Sequence, residues 1–342
     1  MKEKKKTIAV LTTINHPHEK IGDWFDVTKN KTIVVGDNKT PQEWNHAKCD
    51  FFSISEQKNS EFEIARELPE NHYTRKNIAY LYAIKSGASR IIDTDDDNFP
   101  YKNIWNTLLS NNFVIKTLQT SQERVDKNIY TYFSNMDFPF WPRGFPLNKL
   151  LDDSSIINND DVSEAQNDKS IGLWQCMVDG DPDIDAIHRL IFKNTPKFIR
   201  KNPVLFPYNN FCAFNSQNTL WLIKALFPLL YLPSTVSFRF TDILRGYVAQ
   251  TIMHAKNIKW GFFESSSFQE RNEHDIMNDF DSETLMYNQM SKILDILNSS
   301  ISSSDSIETN LITCYEILYK KGIIQRNELN IVKLWLKDLS SI

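Results

Sequence analysis

The most constraining feature of this chain is a junction. The apolar run Arg90-Ile91-Ile92 passes directly into Asp93-Thr94-Asp95-Asp96-Asp97-Asn98, four carboxylates in five residues. A short apolar run bounded by turn signals predicts a buried strand. Adjacent carboxylates repel one another at a cost that grows with burial. The strand must therefore stop where the acidic run begins, which puts the acidic run at the carboxyl end of a sheet. In open α/β sheets ligands bind there.

Three comparable runs precede it: Ile8 to Leu11, Thr32 to Val35 closed by Gly36-Asp37-Asn38, and Phe51 to Ile54. Short, continuously apolar runs suit a parallel sheet covered on both faces. Between the last two, Ile78, Leu81, Tyr82 and Lys85 fall at helical spacing, with Thr74 as a cap and Gly87 as a terminator. Strand, helix and strand with connections this short predict right-handed crossovers and an α/β, doubly wound sheet.

Beyond it, Leu151 to Ser170 is rich in Asp, Asn and Ser and reads as a surface loop, and an ordered half runs from Ile171 to about Asp281. Ser299 to Ser306 reads as a serine-rich hinge before a helical tail. That tail shows two apolar stripes, Ile312, Tyr315, Leu318 and Tyr319, then Ile331, Leu334 and Trp335. The expected division is a domain over residues 1–290, with a nucleotide and metal half to about 110 and an acceptor half after it, and a helical extension over 291–342. No internal repeat is evident.

A chain of 342 residues, 41% apolar and 12% aromatic, can bury a sizeable core. The net charge of −4 supplies no global drive toward nucleic acid or anionic membrane. Cys49, Cys176, Cys212 and Cys314 show no CxxC spacing, which argues against zinc, and their scatter suits a reducing compartment. Lys2 to Lys6 lead into an apolar stretch too short for a signal sequence. No window approaches a membrane span, and the run Leu226 to Leu232 is short and broken by Pro228. The expectation is a cytoplasmic protein without a transmembrane segment, with peripheral membrane contact left open.

The acidic run has a specific chemical use. A divalent cation relieves the repulsion, and Mg2+ or Mn2+ prefers hard oxygen ligands while keeping phosphates and waters. Two carboxylates then hold a metal, and the metal holds a diphosphate, which is the content of a DxD motif. Asp95 and Asp97 are the expected ligands, with Asp93 bracing the site from the strand. A solvated acidic loop or a calcium site would show the same residues. Arg75 and Lys76 lie in the first turn of the predicted helix, where cations oppose the dipole. A bound anion would remove that conflict, so phosphate contact by one of them is expected.

Several long motifs in order carry a resemblance. They are Val35-Gly36-Asp37-Asn38-Lys39-Thr40-Pro41, the run from Tyr73 to Pro100, Trp141-Pro142-Arg143-Gly144-Phe145-Pro146, and Gly180-Asp181-Pro182-Asp183-Ile184-Asp185-Ala186. Asn215-Ser216-Gln217-Asn218-Thr219, Arg239 to Gly246 and Arg271-Asn272-Glu273-His274-Asp275 complete the set. Over roughly residues 7 to 285 the chain resembles the STELLO-like glycosyltransferase family. It is more distantly similar to the reversibly glycosylated polypeptides of plants, which act as UDP-arabinose mutases.

The resemblance implies a GT-A-like mixed sheet flanked by helices, a nucleotide-sugar donor such as a UDP-sugar, a glycan acceptor, and Mn2+ or Mg2+. Eukaryotic members look membrane-anchored in the Golgi, a location not carried over here. Thr13, Asn15, Asp37 and Lys39 would meet the nucleoside, with Arg75, Lys76, Asn77 and Asp93 completing the donor site. Turn chemistry alone would also explain the first four. His274 is a candidate third metal ligand. Asp181, Asp183 and Asp185 would touch sugar hydroxyls, with Asp181 also suited to cap a helix starting at Pro182. A second metal there is the rival reading. Trp141 and Arg143, with Phe145, would belong to the acceptor side, whereas Trp174 reads as core. Asp242 is either a helix cap or the general base that deprotonates the acceptor. Arg245, one turn on, would pair with Asp242 or with the diphosphate. The expected activity is metal-dependent glycosyl transfer. A sugar-nucleotide mutase or nucleotidyltransferase is the alternative, and the intact acidic run argues against a non-catalytic scaffold.

Overall fold

The computed structural model describes residues 5–136, 140–166, 170–270 and 275–342. Its strands are β1 (Thr7–Thr13), β2 (Thr32–Gly36), β3 (Cys49–Phe52), β4 (Arg90–Asp93), β5 (Asn98–Pro100), β6 (Ile115–Leu118) and β7 (Val125–Asp126) in the first part. They continue with β8 (Val162–Ala165), β9 (Ile171–Gly180), β10 (Val204–Phe206), β11 (Asn210–Phe211), β12 (Thr219–Trp221) and β13 (Lys259–Gln269). The main sheet has the order β3-β2-β1-β4-β12-β9-β13-β10-β6-β8, with β5 paired to β13. β3, β2, β1 and β4 are mutually parallel, and β12 lies antiparallel to both β4 and β9. The mixed α/β sheet flanked by helices, with C-terminal helices beyond it, is the architecture expected from the sequence.

The apolar runs are continuous because both sheet faces are covered. Successive side chains of a strand point to opposite faces. Ile8 and Val10 of β1 enter one core with Ile78 and Leu81 of the helix Lys76–Lys85, while Ala9 enters another with Trp24 and Trp105. Ile91 and Ile92 of β4 divide in the same way. The chain steps outward from β1 to β2 to β3 and then returns to β4 on the far side of β1. Strand order therefore reverses between β1 and β4, and such a switch point leaves a crevice at the carboxyl ends.

Local details differ from expectation where side-chain capping decides. β3 ends at Phe52, because Ser53 and Glu56 form a capping box that starts the short helix Ile54–Lys58. The helix at Lys76 is led in by a 3-10 turn, Tyr73–Arg75, capped by the His72 side chain rather than by Thr74. Gly87, at φ +83°, follows its end. The segment expected to be loop from Leu151 to Ser170 contains β8, an edge strand antiparallel to β6.

The boundary drawn at residue 290 falls inside one helix, Ile276–Ser300. The serine-rich stretch is the turn to the next helix, Ile307–Lys320, and a last helix spans Glu328–Ser340. Leu311, Tyr315 and Trp335 enter the same core as Ile78 and Leu81. Two buried carboxylates fasten this extension. Glu328 accepts from the backbone N–H of Ser234 and Thr235, and Asp338 accepts from those of Glu63 and Ile64. The apolar stripes read from sequence are thus the docking faces of helices built into the fold, except that Tyr319 is exposed. Among the described residues no helix is long and apolar enough to cross a membrane.

Candidate active site

A cavity of roughly 620 Å3 opens at the carboxyl ends of β1, β2 and β4. Thr13, Asn15, Asp37 and Lys39 line it from the ends of β1 and β2, and Asp95, Asp96 and Asp97 from the acidic run. The opposite wall brings Arg143, Asp183 and Asp242, residues far apart in sequence.

The acidic run is held from below. Asp93 is fully buried at the end of β4, with Lys76 Nζ 2.7 Å from Oδ1 and Arg245 NH1 3.1 Å from Oδ2. Lys76 Nζ also lies 3.0 Å from Asp95 Oδ1, which the Tyr73 hydroxyl reaches at 2.7 Å. Asp95 Oδ2 makes no hydrogen bond to the described residues. Burial raises the Asp95 carboxyl against the pull of Lys76. Asp97 accepts from the Gln269 and Asn98 side-chain amides at 3.0 and 2.7 Å. Burial first, then the adjacent Asp95, push its carboxyl up to about 7. Asp96 turns aside to accept from the Thr13 hydroxyl and from the Asn15 amide.

These donors suit a divalent cation. They are hard oxygens, one of them unspent, in a place where cation-free carboxylates are driven toward their neutral forms. Among the described residues no cluster of three or more His, Cys, Asp or Glu side chains could hold a metal. Asp95 and Asp97 would share a cation with phosphate and water, as Mg2+ and Mn2+ accept. His274 lies outside the described residues.

Several expected donor contacts are structural instead. Arg75 is buried and donates to Gln57 Oε1, Ala65 O and Leu68 O. Lys76 is buried on Asp93 and Asp95. The dipole conflict that suggested a phosphate is thus met by protein oxygens. Asn77 exchanges hydrogen bonds with the Leu232 backbone. Asp37 reaches the cavity, yet its carboxylate already accepts from the backbone N–H of Asn38, Asn71 and His72. Its first task is to fix the 71–72 turn. Lys39 is exposed, with no carboxylate partner among the described residues.

The opposite wall is organised by one arginine. Arg143 donates from Nε and NH2 to Asp183, both at 2.8 Å, and from NH1 and NH2 to Asp242 at 3.1 and 3.0 Å. Against the cost of burial, this guanidinium holds Asp183 well below the usual carboxylate range, and the two carboxylates raise Arg143 in turn. Gly144, at φ +91°, packs where a Cβ would collide with Ile243, which lets Arg143 approach the helix Phe238–Ala255.

Asp242 is not a helix cap. That helix starts at Phe238 after Ser237, so Asp242 sits a turn inside and faces the cavity. Arg245 is buried on Asp93 and Asn215 O and touches neither Asp242 nor the cavity. Of Asp181, Asp183 and Asp185, it is Asp183 that lines the cavity. Asp181 pairs with Arg189. Asp185, rather than Asp181, caps the helix Ala186–Ile191, and burial pushes its carboxyl up to about 6. Trp141 is buried and donates to Asp185, Phe145 is buried as well, and Trp174 is core as expected. The aromatic rings at the cavity are instead Tyr73 and Phe238. Phe238 immediately precedes the Arg239 to Gly246 motif, and nothing local in the sequence distinguishes it from a core aromatic. Tyr73, Asn215 and Gln217 also line the site. They stood in recognised motifs without an assigned role, since nothing local distinguishes them from turn residues.

Residues 239–342 match the family model described as STELLO glycosyltransferases. The chain is 27% identical over 263 residues to "Probable glycosyltransferase STELLO2" of Arabidopsis thaliana, a match covering 71% of this chain and 33% of the relative. To "Probable glycosyltransferase STELLO1" of the same plant it is 26% identical, with the same coverage. The match therefore spans about a third of the length of these curated relatives. Both comparisons bear out the resemblance read from the motifs, and it is to the STELLO glycosyltransferases that this chain is similar over most of its length.

Proposed function

We propose that this chain is a metal-dependent glycosyltransferase that takes a sugar from a nucleotide-diphosphate donor, a UDP-sugar in the simplest case, and passes it to a hydroxyl of a glycan. The observation that carries the reading is the pair Asp95 and Asp97, facing a cavity at the sheet's switch point with an unspent carboxylate oxygen on Asp95. The likeness to relatives named as probable glycosyltransferases supports the reaction class.

A bound Mg2+ or Mn2+ would offset the charge of the departing diphosphate, usually the main electrostatic demand in such a transfer. The chain's own residues do the rest. Lys76 and Tyr73 fix the Asp95 carboxylate, and Gln269 and Asn98 fix that of Asp97. Lys39 supplies a free cation at the end of β2. Asp242, aimed by Arg143, accepts the proton from the attacking hydroxyl. Asp183, Asn215 and Gln217 supply polar atoms for sugar hydroxyls.

A panel of nucleotide sugars, assayed for release of the nucleoside diphosphate with Mn2+, with Mg2+ and with chelator, tests this. Release from one nucleotide sugar, abolished by chelator, is expected. Equal release with and without chelator would contradict it.

A further inference from the structure

Two large apolar side chains that line the cavity are exposed, Ile14 on the β1 side and Phe238 on the Asp242 side, and Phe238 is the aromatic one. Phe238 is 52% exposed while lining the cavity. What it offers there is an apolar face beside hydrogen-bonding groups, the combination that a ring with polar edges can use. It begins the helix that carries Asp242 and lies four residues before it, so the two share a helix face. Its ring is not loose. Tyr73 packs edge-on against it, centroids 5.4 Å apart at 71°, and Tyr73 is anchored by its hydrogen bond to Asp95.

The charges around this ring are already paired. Arg143 is held by Asp183 and Asp242. Arg239 lies 2.7 Å from Glu283 and 3.7 Å from Asp279. Among the described residues lining the cavity, the cation without a carboxylate partner is Lys39, at the end of β2. Apart from Lys39, an anionic group in this cavity would meet carboxylates in excess and arginines that are already paired. An uncharged ring with an apolar face and a rim of hydroxyls fits both features.

Resting on the glycosyltransferase reading above, we propose that the acceptor is a neutral sugar, stacked on Phe238 with a hydroxyl presented to Asp242, rather than a phosphorylated or carboxylated one. Stacking sets the ring plane, and the helix face sets which hydroxyl meets the carboxylate one turn on.

The test is saturation-transfer NMR on the full chain. The probes are methyl β-glucoside, methyl β-galactoside and methyl β-mannoside, with their 6-phosphates as controls. Wild-type protein is expected to transfer saturation to the ring C–H protons of at least one neutral glycoside and less to its phosphate. Phe238→Ala should weaken that binding about five- to tenfold, the scale of one aromatic contact, and Phe238→Trp should restore it. Calorimetry of UDP with Mn2+ should give the same affinity in wild type and Phe238→Ala. Absence of signal from every neutral glycoside, undiminished binding in Phe238→Ala, or preference for a phosphate would overturn the proposal. Failure of wild-type protein to bind UDP would strike the donor reading instead, and the glycoside signals report on Phe238 independently of it.

Discussion

Arg143 meets Asp242 end-on, NH1 to Oδ1 at 3.1 Å and NH2 to Oδ2 at 3.0 Å, while its remaining N–H groups go to Asp183 and to the Arg239 carbonyl. A fork of this kind fixes the plane of the Asp242 carboxylate as well as its place, which an ammonium on a flexible stem does not do. Arg143→Lys should therefore keep the charge and the fold but lower transfer by at least about tenfold. Asp242→Asn should lower it by about a hundred- to ten-thousand-fold, the range of general-base assistance, while UDP and Mn2+ affinity stay as in wild type. Product formation and calorimetry on the same preparations separate the two. Near-normal turnover in Asp242→Asn would retire Asp242 as the base.

Arg75 illustrates a charged side chain whose role is internal. Its guanidinium serves Gln57, Ala65 O and Leu68 O in a buried place. Arg75→Ala leaves these acceptors unmet, each worth about 1–3 kcal/mol when buried. Urea denaturation should show the loss, and the folded fraction should bind UDP with unchanged affinity. Weaker UDP binding at unchanged stability would return Arg75 to the donor site.

The Asp97 carboxyl, raised to about 7 by burial and by Asp95, makes the cation-free site sensitive to pH. An unfolded aspartate titrates near about 4. Between those values the folded chain keeps a proton that the unfolded chain has lost. This group's stabilising contribution is complete below about pH 4 and is lost as pH rises through about 7. A cation needs the ionised carboxylate. Mn2+ affinity should therefore rise about tenfold per pH unit up to neutrality and level off above it, and Asp97→Asn should remove that slope. Isothermal titration from pH 5.5 to 8 checks it; a flat profile in wild type would contradict it.

Glu328 fastens the C-terminal helix to the turn before Phe238, accepting from the N–H groups of Ser234 and Thr235, the Ser234 hydroxyl and the Tyr231 hydroxyl. Hydrogen bonds to a charged group are worth about 1.5–3 kcal/mol. Glu328→Ala should lower the melting temperature by several degrees. Differential scanning calorimetry reads this directly, and an unchanged transition would mean that the extension is not fastened there.

The donor half of the fold was legible because its signals are local. A strand such as Arg90–Asp93 has to end at its carboxylates, and Ile78, Leu81 and Tyr82 fix a helix by period. The acceptor wall was legible in its parts but not in its partners. Asp183, Asp185 and Asp181 look alike in sequence. Only tertiary packing sends the first to Arg143, the second to a helix cap and the third to Arg189. Arg75, Lys76 and Arg245 were drawn toward phosphate because their buried carboxylate and carbonyl partners lie 7 to 152 residues away in the chain. Trp141, expected on the acceptor side, is buried instead, and Phe238, for which the sequence carried no expectation, lines the cavity, since burial is a property of the fold.

The central claim is that Asp95 and Asp97 hold a cation that holds the donor diphosphate. Calorimetric titration of UDP into the full chain, with Mn2+ and with chelator, tests it most directly. The account predicts binding that requires Mn2+ and that Asp95→Asn and Asp97→Asn each weaken by at least about tenfold, with melting temperatures showing that both variants are folded. Equal UDP affinity with and without Mn2+, or wild-type affinity in both variants, would contradict it.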